Sequence, residues 1–216
     1  MTESRVVIET VQNTSFASAL DWPGWSRSGK SEAAAIEALL AYAERYRPVI
    51  RLAGLADDLS DTVDVIDHQP GNSTTSFGAP DIVHAAEFEP MSHEECERQL
   101  SLLQASWRYF DEVAATVTPE MRKGPRGGGR DRDGIIDHVV NADRNYARKI
   151  GVRRPPFSPF DADAVRVHHE AVFAAIPNVR DGSLLTEKGW PVRYAIRRMA
   201  WHVLDHAWEM RDKSLA

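Results

Sequence analysis

The sequence predicts an α+β protein: a small N-terminal β-sheet with one packed helix, followed by a four-helix bundle. Three observations carry that expectation. Before about residue 85, short β-branched segments alternate with one clear helix. From Pro90 onward the apolar residues recur at steps of three and four. Near the C-terminus, an H-x-x-x-H unit sits in an otherwise apolar helix. Division of the chain into a small α/β domain over 1–85 and a bundle over 86–216 follows from this change of period.

Arg5–Thr10 and Phe16–Leu20 are candidate strands, by their β-branched and aromatic content. Asp21-Trp22-Pro23-Gly24-Trp25 reads as a turn, because proline fixes φ and glycine accepts a positive one. Ser31–Tyr46 reads as a helix with Ile36, Leu39, Leu40 and Ala43 on one stripe, Ser31 as N-cap and Pro48 as the stop. Thr62–Asp67 alternates with period two and reads as a strand. Gln69–Pro80 is rich in turn formers and reads as a linker or long loop.

In the second part, Ser92 and Glu95 have the spacing of a capping box, with Met91 and Cys96 placed as its apolar staple. Cys96, Leu100, Leu103, Trp107, Phe110, Ala114 and Val117 then form a bundle-facing seam. The second helix spans about 133–150, with Ile135, Val139, Ala142, Tyr146 and Ile150 inward. The third spans about 162–176, with Val165, His169, Val172 and Ile176 inward and His168 toward solvent. The fourth starts at Pro191 and carries Ala195, Met199, His202, His206 and Glu209 on one face.

Composition excludes several classes. No apolar run approaches the ~18 residues of a membrane span, and the mean hydropathy is -0.41. The net charge of -6 argues against general nucleic-acid binding. The start lacks the basic-then-apolar pattern of a secretory leader. Cys96 is the single cysteine, so an internal disulfide and Cys-based zinc motifs are excluded. A cytoplasmic protein is the simplest reading.

The chemistry concentrates in His202-Val203-Leu204-Asp205-His206. At 3.6 residues per turn the two imidazoles project from one face, a turn apart, and can reach one ion. A third ligand completes such a site. His138 on the second helix is the first candidate and His169 its rival. Imidazoles suit Zn, Ni, Fe or Mn without choosing among them. Tyr146, Asp205 and Glu209 are candidates for surrounding the ligands, the two carboxylates by accepting a ring N–H. Val203 stands where a zinc peptidase carries its glutamate, so that class loses its general base. Arg122–Arg132, with Arg126 and Arg130, reads as a solvated connection that could cover the site. Trp107, Trp201 and Trp208 fill the core or line a pocket mouth. Arg144, Arg148 and Arg198 read as a charged surface, with Arg198 one turn before His202 and placed to meet an anion. His68, His84 and His93 lie in or near loops and caps without a partner at ligand spacing.

GPRGGGRDRDGIIDHVVNADRNYARKIG, followed some fifty residues later by RRMAWHVLDHAWEMRD, resembles the DinB-like (YfiT/DinB) four-helix-bundle superfamily. The resemblance covers about 91–213. It implies a divalent metal held by one histidine of the second helix and the H-x-x-x-H pair of the last, here His138, His202 and His206. It also implies a metal-dependent enzyme, such as a mycothiol- or bacillithiol-type thiol transferase or a hydrolase, acting on a small molecule. A low-molecular-weight thiol is then a second cofactor, and a homodimer is allowed. The competing class is a non-catalytic metal-stabilised or partner-binding module. FASALDWPGWSRSGKSEAAAIEALLAYAERY resembles the HicB-like fold over some thirty residues, with Trp25 where that pattern has cysteine after Pro-Gly. That likeness implies a small sheet with one packed helix.

Overall fold

A computed structural model describes residues 3–125, 127–178 and 180–215. Among these the chain forms an N-terminal four-stranded mixed sheet with its helices, then a mainly helical part. Strands β1 (Ser4–Val11) and β2 (Thr14–Ala19) make a hairpin through a two-residue turn, where Gln12 takes a φ of 51°. Next to β2 lies β3 (Ser26–Gly29), which pairs antiparallel with it. Helices α1 (Glu32–Ala41) and α2 (Ala43–Leu52) then carry the chain over to β4 (Val63–Pro70), parallel to β1 at the other edge. Pro70 ends an edge strand, where a missing N–H costs the sheet little.

Three details differ from the sequence expectation. The segment forming β3, SRSG, has no β-branched residue, and its strand is set by pairing with β2, reinforced by a Ser18–Ser26 hydroxyl contact of 2.6 Å. Pro48 does not stop the helix but lies inside α2, and the break falls at Tyr42. The carbonyl that loses its partner to the proline is that of Glu44, inside α2, so the helix absorbs Pro48 without ending there. The 69–80 stretch is docked instead of free. After β4 it forms the one-turn helix α3 (Ser73–Ser76). Buried Glu9 of β1 then accepts from the Thr75 hydroxyl and the amides of Asp81 and Ile82 at 2.8–3.0 Å.

The four long helices are α4 (His93–Thr116), α5 (Arg132–Ala147), α6 (Ala162–Ala175) and α7 (Val192–Lys213). Ser92 caps α4 by accepting from the Glu95 amide. The Glu95 carboxylate turns to Arg193 of α7 instead of closing a capping box. Pairing of Glu95 with Arg193 and of Tyr109 with Arg211 makes α4 and α7 parallel. His138 beside His206, and Tyr146 beside Arg198, make α5 antiparallel to α7. The seam of α4 is buried from Cys96 through Phe110. Leu102, Ala105 and Tyr109 are buried as well, because α4 packs on α2 in addition to α7.

One continuous buried core joins the two parts. Its centre is α7, in which every residue from Tyr194 to Leu204 is buried. The turn before β3 rests directly on this helix. Gly24 has a φ of 93°, and a Cβ there would stand 2.7 Å from Leu204 Cδ1 and 3.1 Å from Ala200 Cβ. Only glycine meets both conditions at no steric cost. Behind it, Trp22 and Trp25 pack against Tyr46, whose hydroxyl donates to the Pro23 carbonyl at 2.8 Å. Trp25 Nε1 donates to Leu39 O at 2.8 Å, so the largest buried ring of the sheet layer has its polar atom satisfied. No helix among the described residues is long and apolar enough to cross a membrane.

Candidate metal centre

His138 on α5 and His202 and His206 on α7 meet where the antiparallel pair crosses. The i, i+4 spacing stacks the α7 rings on one face, with centroids 4.7 Å apart. His138 lies 5.0 Å from the His202 ring and 4.9 Å from the His206 ring. One ring nitrogen from each histidine lies within 4.8 Å of the others, so the three could hold a metal ion. Nitrogens sharing a tetrahedral ion at ~2.1 Å stand about 3.4 Å apart. His138 Nε2 and His202 Nε2 are 3.2 Å apart, already at that spacing. Unless one carries a proton there, two lone pairs face each other, an arrangement that a cation between them relieves.

Hydrogen bonding fixes the ring of His206. Its Nδ1 is 2.7 Å from Glu209 Oε2, one turn on, and Lys213 donates to Glu209 Oε1 at 2.6 Å. The bond from His206, then the one from Lys213, hold the Glu209 carboxyl down at about 2. Glu209 is therefore anionic at neutral pH, and Nδ1 of His206 carries the donated proton. In a neutral ring with its proton on Nδ1, Nε2 is the atom that would face an ion. Carboxylate–histidine pairs of this kind orient metal ligands and raise their basicity. Burial, and then the neighbouring His206, push His202 well below the ordinary imidazole value, and His138 is lowered by the same two causes. Both are neutral at pH 7, the state that a metal ligand requires.

Around the triad the walls are aromatic and cationic. Tyr146 meets the His202 ring edge-on, with centroids 5.5 Å apart. Arg198 lies under the rings of Tyr146 and Trp201, at 5.4 and 4.9 Å. It is buried and donates to the Pro80 carbonyl, so it is no surface arginine. Arg130 in the loop before α5 adds positive potential at His138 and His202. Arg198 and Arg130 thus bring positive charge to one side of the triad, while Glu209 stands behind His206 and Asp81 lies 4.0 Å from Arg198.

The structure thus brings together His138, His202, His206, Tyr146 and Glu209. Asp205 points elsewhere: it pairs with Arg27 of β3 at 2.8 Å and ties α7 to the sheet. His169 does not join the triad, and its ring lies flat on Trp107 at 3.7 Å. His168, expected toward solvent, is buried with Nε2 at 3.1 Å from Asp143 Oδ2. His84 is also buried, its Nδ1 2.8 Å from Asp67 Oδ2. Arg148 is exposed, and Arg144 lies over the Phe157 ring. In the basic loop, Met121 N donates to Asp131 and Arg122 N to the Lys213 carbonyl, so both ends are tied down. Arg126 lies outside the described residues. Sequence reasoning missed the burial of Arg198. Its spacing one turn before His202 is the signal that bore on it. Comparison with family models, with curated proteins and with solved structures finds no match for this chain, so the site is read from its own geometry.

Proposed function

We propose that His138, His202 and His206 hold one divalent ion and that the chain is a metal-dependent enzyme acting on a small, anionic or thiol-bearing molecule. The observation that carries this reading is the convergence of three imidazoles, one of them oriented by an anionic Glu209. One histidine on the second long helix and an H-x-x-x-H pair on the last is the DinB-like pattern, and the helical part supports that assignment. For the HicB-like reading of the N-terminal part, support extends to a sheet with packed helices. When bound, the ion stabilises a thiolate or polarises water at neutral pH. The chain's own groups supply the rest. Arg198 and Arg130 attract an anion, Tyr146 and Trp201 wall the site against water, and Glu209 holds the His206 ring in register.

Metal analysis of the purified protein beside His202→Ala and His138→Ala tests the ligand set. Losing a partner behind a ligand costs 10–100-fold in metal affinity, so losing a ligand should cost more than about 100-fold. Equal metal content in all three proteins overturns the assignment. With metal retained by the parent protein, stabilisation by mycothiol or bacillithiol in thermal unfolding supports a thiol transferase. Its absence leaves the hydrolytic reading or the metal-stabilised module, and turnover separates those two.

A further inference from the structure

A cleft of about 860 Å³ opens between α4, α5 and α6, and none of the three histidines lines it. Trp107, Phe110, Val139, Val165 and Phe173 form its walls, and Phe160, 60% exposed, stands at its mouth. Val139 and Val203 of its lining directly follow His138 and His202, so the cleft lies on the next face of the same two helices. Its volume is that of a small-molecule pocket. The polar groups in it are unevenly satisfied. Asp143, 3% exposed, has Oδ2 at 3.1 Å from His168 Nε2, while its buried Oδ1 has no partner. Trp107 Nε1 is buried and unpartnered as well. The cations at the cleft are engaged elsewhere: Arg166 with Asp163 and Glu170, and Arg108 with the Leu52 carbonyl. His169, whose Nε2 lies 3.7 Å from Asp143 Oδ2, is held down at about 4 by burial and is neutral at pH 7.

We propose that this cleft is a second binding site, for a small amphiphilic amine whose apolar body lies among Trp107, Phe110 and Phe173 and whose ammonium donates to Asp143 Oδ1. A buried carboxylate oxygen without a donor is costly, and a charge-assisted hydrogen bond is the contact that repairs it. The site is independent of the metal reading. Calorimetric titration with 1-naphthylmethylamine, 1-naphthalenemethanol and 1-naphthoate tests it. The amine should bind saturably, one per chain, about tenfold or more tighter than the alcohol, with the acid weakest. Asp143→Asn should level the amine and the alcohol. Val165→Trp, which fills the cleft, should abolish binding while leaving metal content unchanged. Absence of saturable amine binding at millimolar concentration, or binding indifferent to Val165→Trp, overturns the site. Equal affinity for all three probes overturns its ligand class.

Discussion

Helix α7 carries two buried polar clusters that are built on opposite principles. Toward the sheet, Arg197 meets Glu87 through two bonds of 2.7 and 3.0 Å, and its Nη2 also donates to the Ile82 carbonyl at 2.9 Å. Glu87 in turn accepts the His84 amide at 2.9 Å. Opposite charges meet and the donors find acceptors. One turn on, three groups of the same kind converge, two of them with nitrogens 3.2 Å apart, and Nδ1 of buried His202 has no partner. A cluster that closes its own bonding holds a fold together. One that gathers like groups and leaves them short of partners is arranged for something that binds.

The largest effect expected from that contrast is on stability. Arg197→Met leaves Glu87 buried and unpaired, which should cost about 3–5 kcal/mol in urea unfolding. Metal bound per folded chain should not change, and loss of metal together with stability would erase the distinction between the clusters. A smaller effect belongs to Glu209→Gln. It keeps the size of the side chain but removes the anion that orients His206, so metal affinity should fall 10–100-fold in a chelator competition. Unchanged affinity would reduce Glu209 to a surface charge. A third effect, on pH dependence, belongs to the cleft. With His169 at about 4 when folded and near 6.5 when unfolded, the unfolded chain binds more protons between those values. Stability should therefore fall as pH drops from about 6.5 to 4, and His169→Phe, which can still stack on Trp107, should reduce that slope in denaturant midpoints, with His202 and His138, lowered likewise, supplying the rest. An unaltered slope would assign the dependence to other groups.

What could be read from the sequence followed from periodicity and spacing. The α4 seam, the α5 and α7 helices and the His202–His206 pair rest on patterns local to one helix, whereas His138 comes from its place on the inward side of a second helix and from the resemblance. The elements that escaped are set by partners distant in sequence. Strand β3 owes its form to β2, and the Asp205 side chain is taken by Arg27, 178 residues away. His169 faces inward as its spacing suggests, stacked on Trp107, but His168 is buried where the pattern expects solvent, because Asp143 across the cleft draws it in. Arg198 reads as surface because arginines usually are. A carbonyl from the docked loop and two aromatic faces hold it inside.

The seating of Gly24 on α7 has a mechanical meaning. A helix gripped on one flank by a glycine turn and on another by a bidentate guanidinium can neither spin about its axis nor slip by a turn. The rings of His202 and His206 are therefore positioned from outside the helical half, and the sheet side serves as a jig for these two imidazoles. Changes in the Trp-Pro-Gly-Trp corner would reach the histidine triad as a displacement of the rod that bears two of its imidazoles, with none of the three altered.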